Sequence, residues 1–185
     1  PFSLSETSES LNLVIGHSMA LDERFVETIH VLSNALPLYL SLAANRLATN
    51  FSLPAWMTNL YLQNGEYDTH TQVNSLFEQW LVEPIRNSSS SLNRFLLLIT
   101  EVHPVDCEFV ARALNLTIKE SAELMKKARD LYYVISLSEG RLSIHDEVRR
   151  LIGKYVWPVY DPDGNLRDRY RSLAIESLSD VNSEV

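Results

Sequence analysis

The side chains able to carry chemistry in this chain are five histidines, one cysteine, 24 acids and 16 lysines and arginines. Nucleophilic catalysis needs a base within hydrogen-bond reach of the nucleophile and a third group to orient that base. No Ser-His-Asp arrangement with a local signature is present. A metal site needs imidazoles, thiolates or carboxylates at a spacing that converges them, and His17, His30, His70 and His103 show neither pairing nor helical ligand spacing. The run Asp161-Pro162-Asp163-Gly164-Asn165 resembles the opening of a calcium loop. Its glycine stands at the fourth place rather than the sixth, and Ser172 takes the twelfth place where a bidentate acid is needed, so a turn is expected. Cys107, between Val105 and Val110 on an apolar segment, is expected in the core. Nothing matches Gly-x-x-x-x-Gly-Lys-Ser/Thr, and no apolar strand ends in paired acids. The chain by itself is therefore expected to hydrolyse no ATP and to hold neither catalytic residues nor a metal.

Charge narrows the partners. A formal net charge of −8 argues against general polyanion binding, which needs clustered cations to displace counterions. Lys119, Lys126, Lys127 and Arg129 lie on one predicted helix, but Glu120, Glu123 and Asp130 offset them, where a DNA-reading helix presents a clearer basic face. Trp56, Trp80 and Trp157 have no basic residues interleaved with them, so they read as packing anchors. No apolar run approaches the roughly 20 residues that span a bilayer, and the first residues lack the pattern of a signal peptide. A single cysteine forms no internal disulfide and fits a reducing, cytoplasmic setting. The triplets at Asn50, Asn87 and Asn115 then match the glycosylation pattern by chance. Beginning at Pro1, the chain reads as an excerpt or a processed product.

The elements that must position these residues are mostly helices, with glycine scarce and proline placed between apolar-periodic segments. Ser3 and Glu6 have capping-box spacing, predicting a helix from Leu4 to about Ile15 that Gly16 breaks. Phe25, Ile29 and Leu32 recur at helical spacing, with Asp22 and Glu23 expected in the first turn, where the helix dipole favours acids. Pro37 suits the first position of a helix running from Leu38 to about Ala48. Pro54 begins a short helix through Trp56, Leu60 and Leu62, closed by Asn64-Gly65. These segments predict an antiparallel bundle over residues 1–66.

A second pattern follows over residues 67–157. Val73, Phe77, Trp80 and Leu81 mark one helical face that Pro84 should stop, and Asn87 to Ser91 reads as a polar loop or cap. Leu92, Phe95, Leu96 and Ile99 form the next stripe. A helix is predicted over Val105 to Leu114, and Thr117 with Glu120 caps another from Ile118 to Leu131. The period then changes: Tyr132 to Leu137 and Arg141 to Ile144 flank the turn signal Glu139-Gly140. A helix carrying Val148, Leu151 and Ile152 comes next, with Asp146 expected as its N-cap. Three helices and then a two-stranded ribbon is the order of a winged-helix domain. Residues 158–185 begin a further helical region.

With these elements in place, two motifs resemble a known family, the STAND NTPases, multidomain signalling ATPases that include NB-ARC and NACHT proteins of immunity and apoptosis. Asn34-Ala35-Leu36-Pro37-Leu38-Tyr39-Leu40 resembles the Gly-x-Pro motif at the start of the lid helix. Leu142-Ser143-Ile144-His145-Asp146-Glu147-Val148-Arg149 resembles the Met-His-Asp motif just after the wing. About 108 positions separate Pro37 from His145, which accommodates the rest of a lid and one winged helix. The resemblance covers most of residues 1–157 and implies a mainly α fold, a helical lid bundle followed by a winged-helix domain with a short β-hairpin.

By this resemblance Pro37 would pack on the adenine and His145 would donate to the β-phosphate of ADP. The nucleotide, ADP or ATP, would be held only in a full-length parent, by the nucleotide-binding domain of the same chain, and not by this segment alone. The module would close over ADP in the resting state, and exchange for ATP would free it, with homo-oligomers as the activated form. Ala35 departs from the motif's glycine and Ile144 from its methionine; the alanine is costly if its φ must be positive. Two other functions compete from the residues themselves: a winged-helix DNA-binding regulator, and a plain protein-interaction scaffold.

Overall fold

Ser3 opens the first helix as its spacing predicts. In the computed structural model, which describes residues 1–16, 21–49, 54–62, 71–86 and 91–183, the Ser3 hydroxyl accepts the Glu6 N–H and the Glu6 carboxylate accepts the Ser3 N–H at 2.7 Å. Two donors that the first turn cannot satisfy internally are thereby paired. Helix α1 (Leu4–Ile15) ends at Gly16, whose φ of 82° suits a residue without Cβ. The chain divides into two compact units, Pro1–Leu81 and Val82–Val185. The boundary expected at residue 66 lies outside the described residues, as does the Asn64-Gly65 helix stop.

In the first unit α1 packs along α2 (Glu23–Leu32) and α3 (Pro37–Thr49), and α4 (Ala55–Leu62) meets α2. Asp22 caps α2 rather than standing in its first turn, accepting the Arg24 N–H at 2.9 Å. Leu11, Ile29, Leu40, Ala43 and Met57 are fully buried. Thr7, equally buried, donates to the Ser3 carbonyl at 3.0 Å, which leaves its oxygen to accept from Nδ1 of His30 at 2.8 Å. A buried hydroxyl costs little when both roles are filled.

Helix α5 (Thr71–Arg86) buries Phe77 and Trp80, as the periodicity predicts, but Pro84 does not stop it. Proline removes one N–H and crowds the preceding turn, but only Ile85 and Arg86 follow it in the helix, and the final carbonyls of α5 lack helical donors with or without it. The buried Asn93 supplies donors instead: its Nδ2 reaches the Pro84 carbonyl at 3.2 Å and the Ile85 carbonyl at 2.8 Å. Of the expected polar loop before it, residues 87–90 lie outside the described residues.

The second unit is built around α6 (Ser91–Glu101), buried without interruption from Phe95 to Thr100. Helices α7 (Cys107–Leu114) and α8 (Ile118–Arg129) pack on it. The predicted start of α7 at Val105 is two residues early. Val105 is extended and exchanges both backbone hydrogen bonds with Leu142 at 2.9 Å, so Asp106 becomes the N-cap, accepting the Phe109 N–H. Asn115 closes α7 in the left-handed conformation, φ 56°. Thr117 and Glu120 form the predicted capping box of α8.

A two-stranded antiparallel sheet follows, β1 (Val134–Ser136) against β2 (Leu142–Ile144), with Ile135 opposite Ser143. Both strands are shorter than the alternation predicts. The turn joining them has Glu139 at φ 61° and Gly140 at φ 72°, and Arg141 N–H bonds the Ser138 carbonyl. Positive φ at both central residues matches the twist of an antiparallel ribbon. Helix α9 (Asp146–Tyr155) buries Val148, Leu151 and Ile152 against α6. After the short α10 (Trp157–Tyr160), Trp157 Nε1 donates to Thr100 Oγ1 at 2.9 Å in the core. Helix α11 (Asn165–Ser183) packs on α6 and α7 and buries Tyr170. Among the described residues, the chain is mainly helical with this one small sheet, and no helix is long and apolar enough to cross a membrane.

Candidate functional site

Pro37, the first of the two singled-out residues, is exposed at the first position of α3, in the first unit. Its approach is tightly specified. Helix α2 ends with Asn34 and Ala35 at φ 50° and 53°. Ala35 N–H reaches back to the His30 carbonyl at 2.9 Å and Asn34 N–H to Val31 at 3.0 Å. That pair of bonds is the Schellman pattern, with Asn34 as its left-handed residue. The Ala35 carbonyl in turn accepts the Phe2 N–H at 2.8 Å. Ala35, at the place of the motif's glycine, therefore holds the positive φ that a Cβ disfavours by roughly 1–2 kcal/mol.

His145 lies in the second unit, between β2 and α9. Its role differs from the sequence reading, because the imidazole and not Asp146 is the N-cap of α9. Nδ1 accepts the Glu147 N–H at 3.2 Å, with the His145 backbone extended at ψ 133°. Asp146 becomes the first helical residue and pairs with Arg149 at 2.7 Å. The displacement has a backbone cause: His145 N–H is drawn to the Tyr133 carbonyl at 2.9 Å, which carries the ribbon's pairing one residue past β2. His145 is thus the last residue that cannot be helical, and the cap position falls to it. An Nδ1 that accepts a hydrogen bond carries no proton, so the neutral ring's hydrogen sits on Nε2 of this exposed side chain.

Two neighbours escaped the sequence reading. Arg149, four residues after His145 and so on the same helical face, contacts the ring of His103 as well as Asp146. His103 is 46 residues away in sequence, just before the extended Val105. Burial and then the Arg149 guanidinium lower the His103 pKa, with Asp146 opposing them, so the ring is a neutral acceptor for the guanidinium. The i, i+4 relation of His145 and Arg149 was legible once the helix was assigned; nothing in the sequence pointed to His103.

The other candidates are structural. Among the described residues no cluster of histidine, cysteine and acid could hold a metal ion; His17 and His70 lie outside them. Asp161 spends its carboxylate on the N–H groups of Leu166 and Arg167 at 3.2 and 3.0 Å, capping α11. Burial raises its pKa, but those bonds and the Arg167 guanidinium outweigh it and hold the carboxyl below its usual range. The Asp161–Asn165 segment is a turn, as expected. Cys107, by contrast, is half-buried at the start of α7 instead of in the core, its Sγ facing the Ile118 carbonyl at 3.5 Å. It stands at the first position of α7, at the end of the helix, with Val110, Ala111 and Leu114 buried beyond it. Trp80 and Trp157 are buried, and Trp56 is half-buried. On α8 the cations Lys119, Lys126 and Lys127 are exposed, whereas Arg129 donates to the Gly140 carbonyl at 3.1 Å and is committed to the ribbon turn.

Compared with protein-family models, curated proteins and solved structures, the chain gives no match.

Proposed function

We propose that this chain is the regulatory lid and winged-helix module of a STAND-type signalling ATPase, closing over ADP that a neighbouring domain of the same parent holds. The observation that carries the reading is the capping bond of His145. With Nδ1 spent on the Glu147 N–H, the ring is oriented by the helix it caps and offers Nε2–H outward, the tautomer a phosphate oxygen would need. Two further features support it. The second unit runs helix, extended Val105, helix, helix, ribbon, helix, the order of a winged helix with Val105 as its additional strand. Pro37, exposed and rigid at a helix start, offers an apolar ring face suited to a base.

In this reading the bond from His145 to the terminal phosphate of ADP fastens the winged helix to the nucleotide. Exchange for ATP changes the group that the imidazole faces, and release of the module lets the parent assemble into homo-oligomers. The segment supplies a hydrogen bond and a surface; the phosphate loop and magnesium ligands belong to the parent, encoded within about 250 residues upstream, the span of one domain. A cytoplasmic setting is part of the proposal.

The test is calorimetric titration of the full-length parent with ADP, comparing wild type with His145→Ala. Unchanged affinity removes the basis of the switch. A salt-dependent gel shift on random duplex at low ionic strength separates this reading from DNA binding. Our reading predicts no shift, because the basic face of α8 is offset by acids and has lost Arg129 to the ribbon.

A further inference from the structure

We infer that Arg149 is a second phosphate-binding group at the His145 corner, with His103 and Asp146 as the positioning residues that hold its guanidinium there. The inference rests on the proposed anion-contacting role of His145 and adds the group that supplies the charge. A neutral Nε2–H is one donor with no net charge, which is a weak basis for holding a diphosphate. Corner charges make the shortfall plain. Asp146 is paired with Arg149, and Glu147 with Arg150 at 2.8 Å. Partial desolvation and then the adjacent guanidinium lower the pKa of the exposed His103, with Asp146 opposing them. Arg149, though it shares its charge with Asp146, brings a guanidinium that stays protonated to the position one helical turn after His145.

Its tethers make this more than a surface arginine. Asp146 takes Nη2 at 2.7 Å, and His103 takes Nη1 from an element outside α9. A guanidinium has five N–H groups in a rigid fork, so hydrogens remain after both bonds are made. The side chain is also about one-third exposed, which lets those hydrogens reach a ligand. Holding a long side chain by two partners before a ligand arrives reduces the rotamer entropy lost on binding. A planar fork and an imidazole donor on one face match the two oxygens of a phosphoryl group.

The experiment uses this chain and inorganic pyrophosphate at low ionic strength, following the ring and guanidinium resonances of His145, His103 and Arg149 by proton–nitrogen correlation. Expected is one saturable shift of all three residues, weakened at least tenfold in Arg149→Gln and partly restored in Arg149→Lys. A His103→Gln variant should weaken binding less while broadening the guanidinium signals, because it frees the arm without removing the charge. Retention of binding in Arg149→Gln, with loss in His145→Ala, overturns this inference and leaves the His145 reading standing. No saturable shift, or an equal one with sulfate, also overturns it, and the His145 reading is then judged by the ADP titration of the parent alone.

Discussion

Nδ1 of His145 accepts the Glu147 N–H at 3.2 Å, so one ring both caps α9 and presents its remaining hydrogen to solvent. The two roles can be separated. Serine also caps well but is too short to carry a donor to the position of Nε2. His145→Ser should therefore unfold within a few tenths of a kcal/mol of wild type, whereas His145→Ala loses about 1 kcal/mol. Both should weaken ADP binding by the parent about ten- to a hundredfold, the worth of one charge-assisted hydrogen bond. Urea unfolding and ADP titration of the same variants check this.

Asn93 holds the carbonyls of Pro84 and Ile85, which the end of α5 at Arg86 leaves without helical donors. Asn93→Ala should cost roughly 1–3 kcal/mol by urea unfolding, since a buried carbonyl is left unpaired. Asn93→Asp should be at least as costly at neutral pH, because a carboxylate would replace the donor that faces these two carbonyl oxygens. A smaller loss than that of an exposed Asn→Ala control would mean Asn93 is not the cap.

Glu139 sits at φ 61° in the ribbon turn, with its side chain about four-fifths exposed and a 3.4 Å pair to Arg141. Exposed pairs of this kind contribute little, while a positive φ is unfavourable for a side chain that cannot bond locally. Glu139→Asn gives the preferred Asn-Gly turn and should stabilise by about 0.5–1 kcal/mol. A fall in thermal midpoint would contradict the assigned turn.

His103 titrates below its ordinary value because burial and Arg149 disfavour its charged form. The folded state then binds protons less readily than the unfolded one, so this contribution is present above the unfolded pKa near 6.5. It is lost as pH falls from there towards the lowered folded value. Wild type should lose thermal stability over that window, and His103→Gln should flatten the profile there. The carboxyl of Asp161 is lowered too, so its share disappears only in stronger acid, as pH falls from its usual range through the folded value.

Local pattern determined much of this protein. The capping boxes at Ser3 and Thr117, the Gly16 stop, the Pro37 start and the Glu139-Gly140 turn each depend on partners within a few residues, so spacing alone reveals them. The mainly helical class followed from apolar period for the same reason. Tertiary structure decided the rest. The last turn of α5 is closed by Asn93, from the next element, which bonds the Pro84 and Ile85 carbonyls. Val105 is extended because Leu142, far along the chain, offers a strand edge. His145 caps α9 because its own N–H continues the ribbon pairing to Tyr133. At the candidate site the sequence supplied the imidazole, and only folding brought His103 to Arg149. Contacts between residues 46 positions apart leave no periodic trace in the chain that makes them.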